Sequence, residues 1–153
     1  MALKPPLVIT AGLKQQLQAG DTLDAPLFNL GSLILASFNA PNLAATPQNN
    51  YAPVGLPDNI TVIRLMVTIA NVSITGFNAG ASGQVNGRVI IFLNRNSSGG
   101  NATFEHQNGG STPTNRFVNG FTGGPRVVGP GGMIGYYYDV GGTPRWNELF
   151  ASL

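Results

Sequence analysis

Short bursts of apolar β-formers, separated by Gly, Asn, Ser and Pro, set the pattern of the chain from Gly83 to Trp146. They are Val89-Ile90-Ile91-Phe92-Leu93, Ala102-Thr103-Phe104, Arg116-Phe117-Val118, Arg126-Val127-Val128 and Met133-Ile134-Gly135-Tyr136-Tyr137-Tyr138. Bursts at spacings of roughly 8–12 residues with turn residues between them predict an all-β, antiparallel sandwich or barrel. No long segment here repeats apolar residues at i, i+3, i+4 and i+7, so no helix is predicted.

Upstream, Ile60 to Phe77 is the longest β-rich segment. Thr61, Ile63, Leu65, Val67 and Ile69 share one parity, while Ile60, Val62, Arg64, Met66, Thr68 and Ala70 share the other. A solidly apolar face opposite a mixed one predicts a strand between core and solvent, with a kink or bulge at Asn71 before Val72-Ser73-Ile74. Leu27 to Phe38 reads as a buried strand or strand pair broken at Gly31. Ala40 to Pro57 contains Pro41, Pro47, Pro53 and Pro57. Each proline removes a backbone donor, so this segment is expected to be a long surface loop. Trp146 to Phe150 forms a final short strand after a turn at Gly141-Gly142. No internal repeat at a fixed period is present.

The N-terminal residues Met1 to Ala11 read as an extended arm, because Pro5 and Pro6 favour polyproline II geometry. Two roles stay open for it. The apolar side chains Leu3, Leu7, Val8 and Ile9, with Pro5 and Pro6, suit an arm anchored on a partner or neighbouring subunit. Leu7 to Thr10 equally suits a first strand of the domain's own sheet. The expected organisation is therefore an arm over residues 1–11 and a single β-domain over 12–153, a length that suits one domain. In Gly12 to Pro26, Leu13, Leu17 and Leu23 are candidates for burial, and Asp21 or Thr22 closes a turn. MALKPPLVIT is too short in apolar run, and too interrupted by proline, for a signal peptide. The run around Leu30–Phe38 falls far short of the roughly 18–20 residues that span a bilayer, so a soluble protein is expected.

Charge changes the picture. Only 9% of the residues are charged and 42% are hydrophobic, against about 25% charged in ordinary soluble domains. Such a surface is either buried against other chains, since interface cores are depleted in charge, or uncharged but well hydrated. The net charge is +2, and Arg64, Arg88, Arg95, Arg116, Arg126 and Arg145 stand singly. No nucleic-acid partner is expected from that spread, and no polybasic membrane patch exists. The absence of cysteine rules out disulfides and thiolate zinc sites and suits folding in a reducing cytoplasm.

Catalytic chemistry has few residues to draw on. Glu105 and His106 are adjacent, so in a strand they point to opposite faces and cannot readily act together; His106 is expected to be a structural hydrogen bonder. Ser111 lies in no Gly-x-Ser-x-Gly elbow. Asp21 and Asp24 lack the further ligands of a calcium loop, and no glycine loop of the phosphate-cradling type precedes a helix. Alternation places Tyr136 and Tyr138 on one face and Tyr137 on the other; core or subunit-interface packing is expected of them rather than an aromatic binding platform. No enzyme, metal or cofactor is expected.

Read as an ordered set, Ile74-Thr75-Gly76, Val89 to Asn94, Phe104 with His106, Asn115-Arg116-Phe117, Gly129-Pro130-Gly131, Tyr137-Tyr138-Asp139 and Arg145-Trp146 resemble a pattern in the C-terminal domains of tailed-bacteriophage structural proteins. LKQQLQAGDTLDAP resembles an upstream element of the same proteins. Together these pieces cover about two thirds of the chain; the glycine-rich insertions Asn96 to Asn101 and Gly120 to Pro125 depart from the pattern. The resemblance implies a jelly-roll-like β-sandwich that assembles as a homotrimer, with Phe117, Tyr136, Tyr138 and Trp146 in trimer or core packing. It implies a capsid decoration (cement) protein on the phage head, with the major capsid protein as partner and the arm residues Leu3, Pro5, Pro6, Leu7, Val8 and Ile9 as capsid contacts. The alternative expectation is a receptor-binding knob or short tail fibre whose loops Pro41 to Pro57 and Asn108 to Pro125 meet host carbohydrate. A carbohydrate-processing enzyme lacks the necessary pair of placed carboxylates.

Overall fold

The computed structural model describes residues 35–96, 99–120 and 123–152. Among the described residues nine strands follow one another: β1 Ser37–Asn39, β2 Val62–Leu65, β3 Asn71–Ile74, β4 Val89–Asn94, β5 Asn101–Phe104, β6 Phe117–Val118, β7 Arg126–Val128, β8 Met133–Asp139 and β9 Arg145–Ser152. Among the described residues the only helical turn is a short 3-10 turn at Pro113–Asn115. The all-β reading stands, and each of the five predicted bursts from Val89 to Tyr138 contains a strand.

The pairing differs from expectation. A six-stranded sheet runs β1-β2-β4-β8-β9-β6, and a three-stranded sheet runs β3-β5-β7. Within them β1-β2, β2-β4, β3-β5 and β6-β9 are parallel, whereas β4-β8, β5-β7 and β8-β9 are antiparallel. Uniformly antiparallel pairing is therefore corrected to mixed sheets. Apart from the β8-β9 hairpin, which turns at Gly141-Gly142 as expected, consecutive strands do not fold back on each other. Instead the chain crosses one wall, turns a corner, crosses the other wall and returns. Ser37 lies beside Val62, which lies beside Ile91; on the second wall Gln48 lies beside Ile74, which lies beside Phe104. The chain thus returns over itself after about 25 and then about 30 residues, a solenoid-like coil length. Unequal coils explain why no fixed period is visible. The antiparallel strands β8 and β7 then close the last coil on the two walls.

Two further expectations are refined here. Ala40 to Pro57 is largely exposed and holds no named strand, as expected of a surface loop, but it is also pinned into the first coil. Leu43, Gln48 and Tyr51 form single parallel bridges to Val67, Ile74 and Phe77, and Ala40, Leu43 and Tyr51 are buried. A single bridge needs one donor and one acceptor at one residue, so prolines between bridges are tolerated. Ile60 to Phe77 is likewise two strands, one in each sheet, rather than one. Its parity was legible all the same: Ile63, Leu65 and Val67 are buried and Val62, Arg64 and Met66 are not.

Glycine and asparagine make the corner that follows β4. Asn94 is fully buried, and its Nδ2 donates to Gly100 O at 2.8 Å and Val128 O at 3.0 Å. A Cβ on Gly100 would stand 2.5 Å from Val67 O and 2.6 Å from Ile69 O, so only glycine lets the two backbones approach this closely.

The core lies between the walls. Ile63, Ile90, Phe92, Ile134 and Tyr136 project from the larger sheet and Val72, Ile74, Ala102, Phe104 and Val128 from the smaller. Phe92 meets Phe104 across the layer at 5.0 Å between ring centroids. Phe117 packs 4.5 Å from Tyr136 and 5.4 Å from Phe104. Buried aromatics of this size dominate core energetics, each pair adding roughly 0.5–1.5 kcal/mol beyond its area.

Candidate functional site

Phe117, Tyr136, Tyr138 and Trp146 all lie in the core of this chain. Tyr138 packs against Trp146 with ring centroids 4.9 Å apart and planes tilted by 58°. The arm residues Leu3, Pro5, Pro6, Leu7, Val8 and Ile9, the boundary between residues 1–11 and 12–153, and Asp21 and Asp24 lie outside the described residues.

The motif residues gather about Trp146. Its backbone N–H donates to Arg116 O at 3.0 Å, and Phe77 N–H donates to Asn115 O at 2.7 Å. The indole Nε1 donates to Phe77 O at 2.9 Å. Gly76 bridges Arg116, and His106 bridges Phe117. These residues tie the last strand to the second coil and explain the pattern as a folding device. Binding must then be sought elsewhere.

Glu105 and His106 have separate tasks. Glu105 accepts the Ser73 hydroxyl at 2.8 Å; His106 Nδ1 accepts the Asn119 N–H at 3.0 Å. Asn119, fully buried, donates through Nδ2 to Phe104 O at 2.7 Å and Gly124 O at 3.1 Å. Its Oδ1 accepts the Tyr136 hydroxyl at 2.8 Å. Burial holds the Tyr136 phenol well above its ordinary range; the Glu148 carboxylate pushes the same way and Arg126 opposes it. Arg126 and Glu148 form an ion pair at 3.0 Å. Among the described residues no group of three or more His, Cys, Asp or Glu is placed to hold a metal. No described helix is long and apolar enough to cross a membrane.

Two surfaces remain. The first is the outer face of the six-stranded sheet. Register aligns Val62, Ile91 and Gly135 with Phe150, and Arg64, Leu93 and Met133 with Ser152. These positions alternate with the buried ones, so they point away from the core. A β-bulge between Gly135 and Tyr136 brings Phe150 over Gly135, where a Cβ would stand 2.4 Å from the ring. Phe150 is 41% and Met133 38% exposed. Arg64, in the same strip, has a buried Nε with no hydrogen-bond partner. The strip joins apolar area to an unanswered donor, a composition suited to a docking face.

The second surface joins two loops. Asn50, at φ +48°, accepts at Oδ1 from Thr112 N at 2.8 Å, Thr112 Oγ1 at 3.0 Å and Asn115 Nδ2 at 2.8 Å. Ser111 Oγ accepts the Asn50 N–H and shares a 2.7 Å hydrogen bond with Thr75. The first-coil segment is thereby fixed to the loop after His106. A groove of about 510 Å³ runs along Pro41–Val54 beside it. Another groove, of about 640 Å³, is lined by Asn42, Met66–Ala70, Asn96, Gly99 and Gly100. The sequence pointed to both loops through their proline and asparagine content, but not to the outer sheet strip, whose residues are split among four strands.

Comparison of the chain with protein-family models, with curated proteins and with solved structures finds no match.

Proposed function

We propose that this protein is a structural component of a tailed-phage virion, a decoration protein that binds the outside of the head as a homotrimer and stabilises the shell. The observation that supports the reading is the outward strip of Val62, Ile91, Leu93, Met133 and Phe150 on a chain with only 9% charged residues. An apolar strip on a rigid aromatic-cored scaffold suits docking rather than turnover. A bound trimer stabilises the assembled shell by mass action, and linked copies add avidity. The jelly-roll wiring implied by the resemblance is not needed for this; mixed sheets offer a rigid face equally well. The major capsid protein is the partner, and residues 2–10 are the arm that reaches it.

Deleting residues 2–10 is expected to leave a folded trimer that no longer binds heads, read by sedimentation and head-binding assays. Undiminished binding of the truncated protein overturns the arm's role, and a monomer of the intact protein at assembly concentrations overturns the trimer.

A second reading, a receptor-binding knob or short tail fibre, draws on the hydrogen-bonded pairing of the Asn50 segment with Thr112 and Asn115, beside the Pro41–Val54 groove. Tyr and Asn there suit host surface carbohydrate. Immunolabelling of intact virions separates the two: label over the head supports decoration, label at the tail tip supports the knob.

A further inference from the structure

We infer that Asn108 is a site of spontaneous backbone modification, the one Asn-Gly step of this chain that the fold leaves open to deamidation and isoaspartate formation. Three Asn-Gly steps occur, at Asn86-Gly87, Asn108-Gly109 and Asn119-Gly120. Asn-Gly is the susceptible pair because glycine, lacking a Cβ, leaves its backbone nitrogen unshielded and free to rotate. In the reaction the Gly nitrogen loses its proton and bonds to the Asn Cγ. The Cγ–Nδ2 bond breaks and ammonia leaves, giving a cyclic imide. Water then opens the imide at either carbonyl, yielding aspartate or isoaspartate. No oxidant or reductant is involved.

The fold treats the three steps differently. At Asn119 the side chain is fully buried, and both its atoms are held by Phe104 O, Gly124 O and the Tyr136 hydroxyl. Swinging Cγ onto the Gly120 nitrogen breaks all three bonds at a fully buried side chain. At Asn86 the nucleophile itself is engaged, because the Gly87 N–H donates to Tyr138 O at 2.8 Å. At Asn108 neither protection applies. Gly109 is exposed, and its N–H makes no hydrogen bond among the described residues. The Asn108 Oδ1 accepts the Gly110 N–H at 2.8 Å. That contact curls the side chain over the following peptide and polarises the carbonyl under attack.

The product matters because of its neighbour. Ser111 N–H donates to Asn108 O at 3.3 Å, and the Ser111 side chain links Asn50 to Thr75. An isoaspartate adds a backbone methylene and a negative charge at the start of that turn. The loop pairing between the Asn50 segment and Thr112 is then displaced with age.

The test incubates the purified full chain at neutral and mildly alkaline pH and maps modified peptides by mass spectrometry. Asn108 is expected to be modified first, faster at higher pH, with Asn86 and Asn119 unmodified until urea unfolds the protein. Gly109 has no positive φ and open space about a Cβ, so G109A is expected to fold normally and to lose the early modification. Equal rates at the three steps in folded protein, or a G109A variant that modifies as fast as wild type, overturn the inference.

Discussion

Trp146 donates its indole N–H to Phe77 O at 2.9 Å across 69 residues of chain, with the two rings 5.4 Å apart. One side chain thus joins β9 to the end of the second coil. Trp146→Phe keeps an aromatic but orphans a buried carbonyl and leaves a gap. A loss of about 2–4 kcal/mol is expected in chemical denaturation, with the strands retained by circular dichroism. A loss below the error of the measurement contradicts this linkage.

Asn119 and Tyr136 form a coupled pair. Tyr136→Phe leaves Asn119 Oδ1 with no donor in a fully buried site, and Asn119→Ala orphans the Tyr136 hydroxyl and removes a donor from Phe104 O and Gly124 O. The single variants are each expected to lose roughly 1–3 kcal/mol or more. The double variant is expected to lose less than their sum, because the second change removes a partner already orphaned. Strict additivity in the cycle is the contrary outcome.

Alkaline pH should expose the same burial. The phenols of Tyr136 and Tyr51 are raised by desolvation. Their ordinary value is 10.0, so above that pH the unfolded chain releases protons that the folded chain keeps. The unfolded state then binds fewer protons, and stability falls as pH rises. Below that pH the contribution is fully present. The expected slope is a loss of about 1.4 kcal/mol per pH unit for each phenol that remains protonated in the fold. Denaturation midpoints measured across that pH range are expected to fall as pH rises, and to fall less in Tyr136→Phe relative to its own neutral-pH value; a profile unchanged by that substitution runs against it.

Gly76 sits where the loop before β6 crosses the second coil. A Cβ there would meet Asn115 O at 2.5 Å and the Ser111 side chain at 2.7 Å. Gly76→Ala must displace the backbone bridge to Arg116 or the Ser111 hub. A cost of roughly 1–3 kcal/mol is expected, whereas Gly109→Ala, with open space around it, is expected to be near neutral. Thermal denaturation of the two variants side by side checks both.

What the sequence determined by itself is local. Alternation of apolar and polar residues placed strands at Val89, Ala102, Phe117, Arg126 and Met133. It also assigned Tyr136 and Tyr138 to one face, because side-chain direction along a strand depends only on parity. The scarcity of charge was equally visible. Pairing direction was not, because parallel and antiparallel neighbours need the same residues on the same face. Whether a strand meets its successor or the strand a coil later is decided by corners such as Asn94 with Gly100. Nor was the role of Ala40 to Pro57 visible, since single bridges leave no alternating signature. The outward strip exists only because tertiary register brings Val62, Ile91, Gly135 and Phe150 into line across four strands. Its assembly is a property of the fold, invisible to any window along the chain.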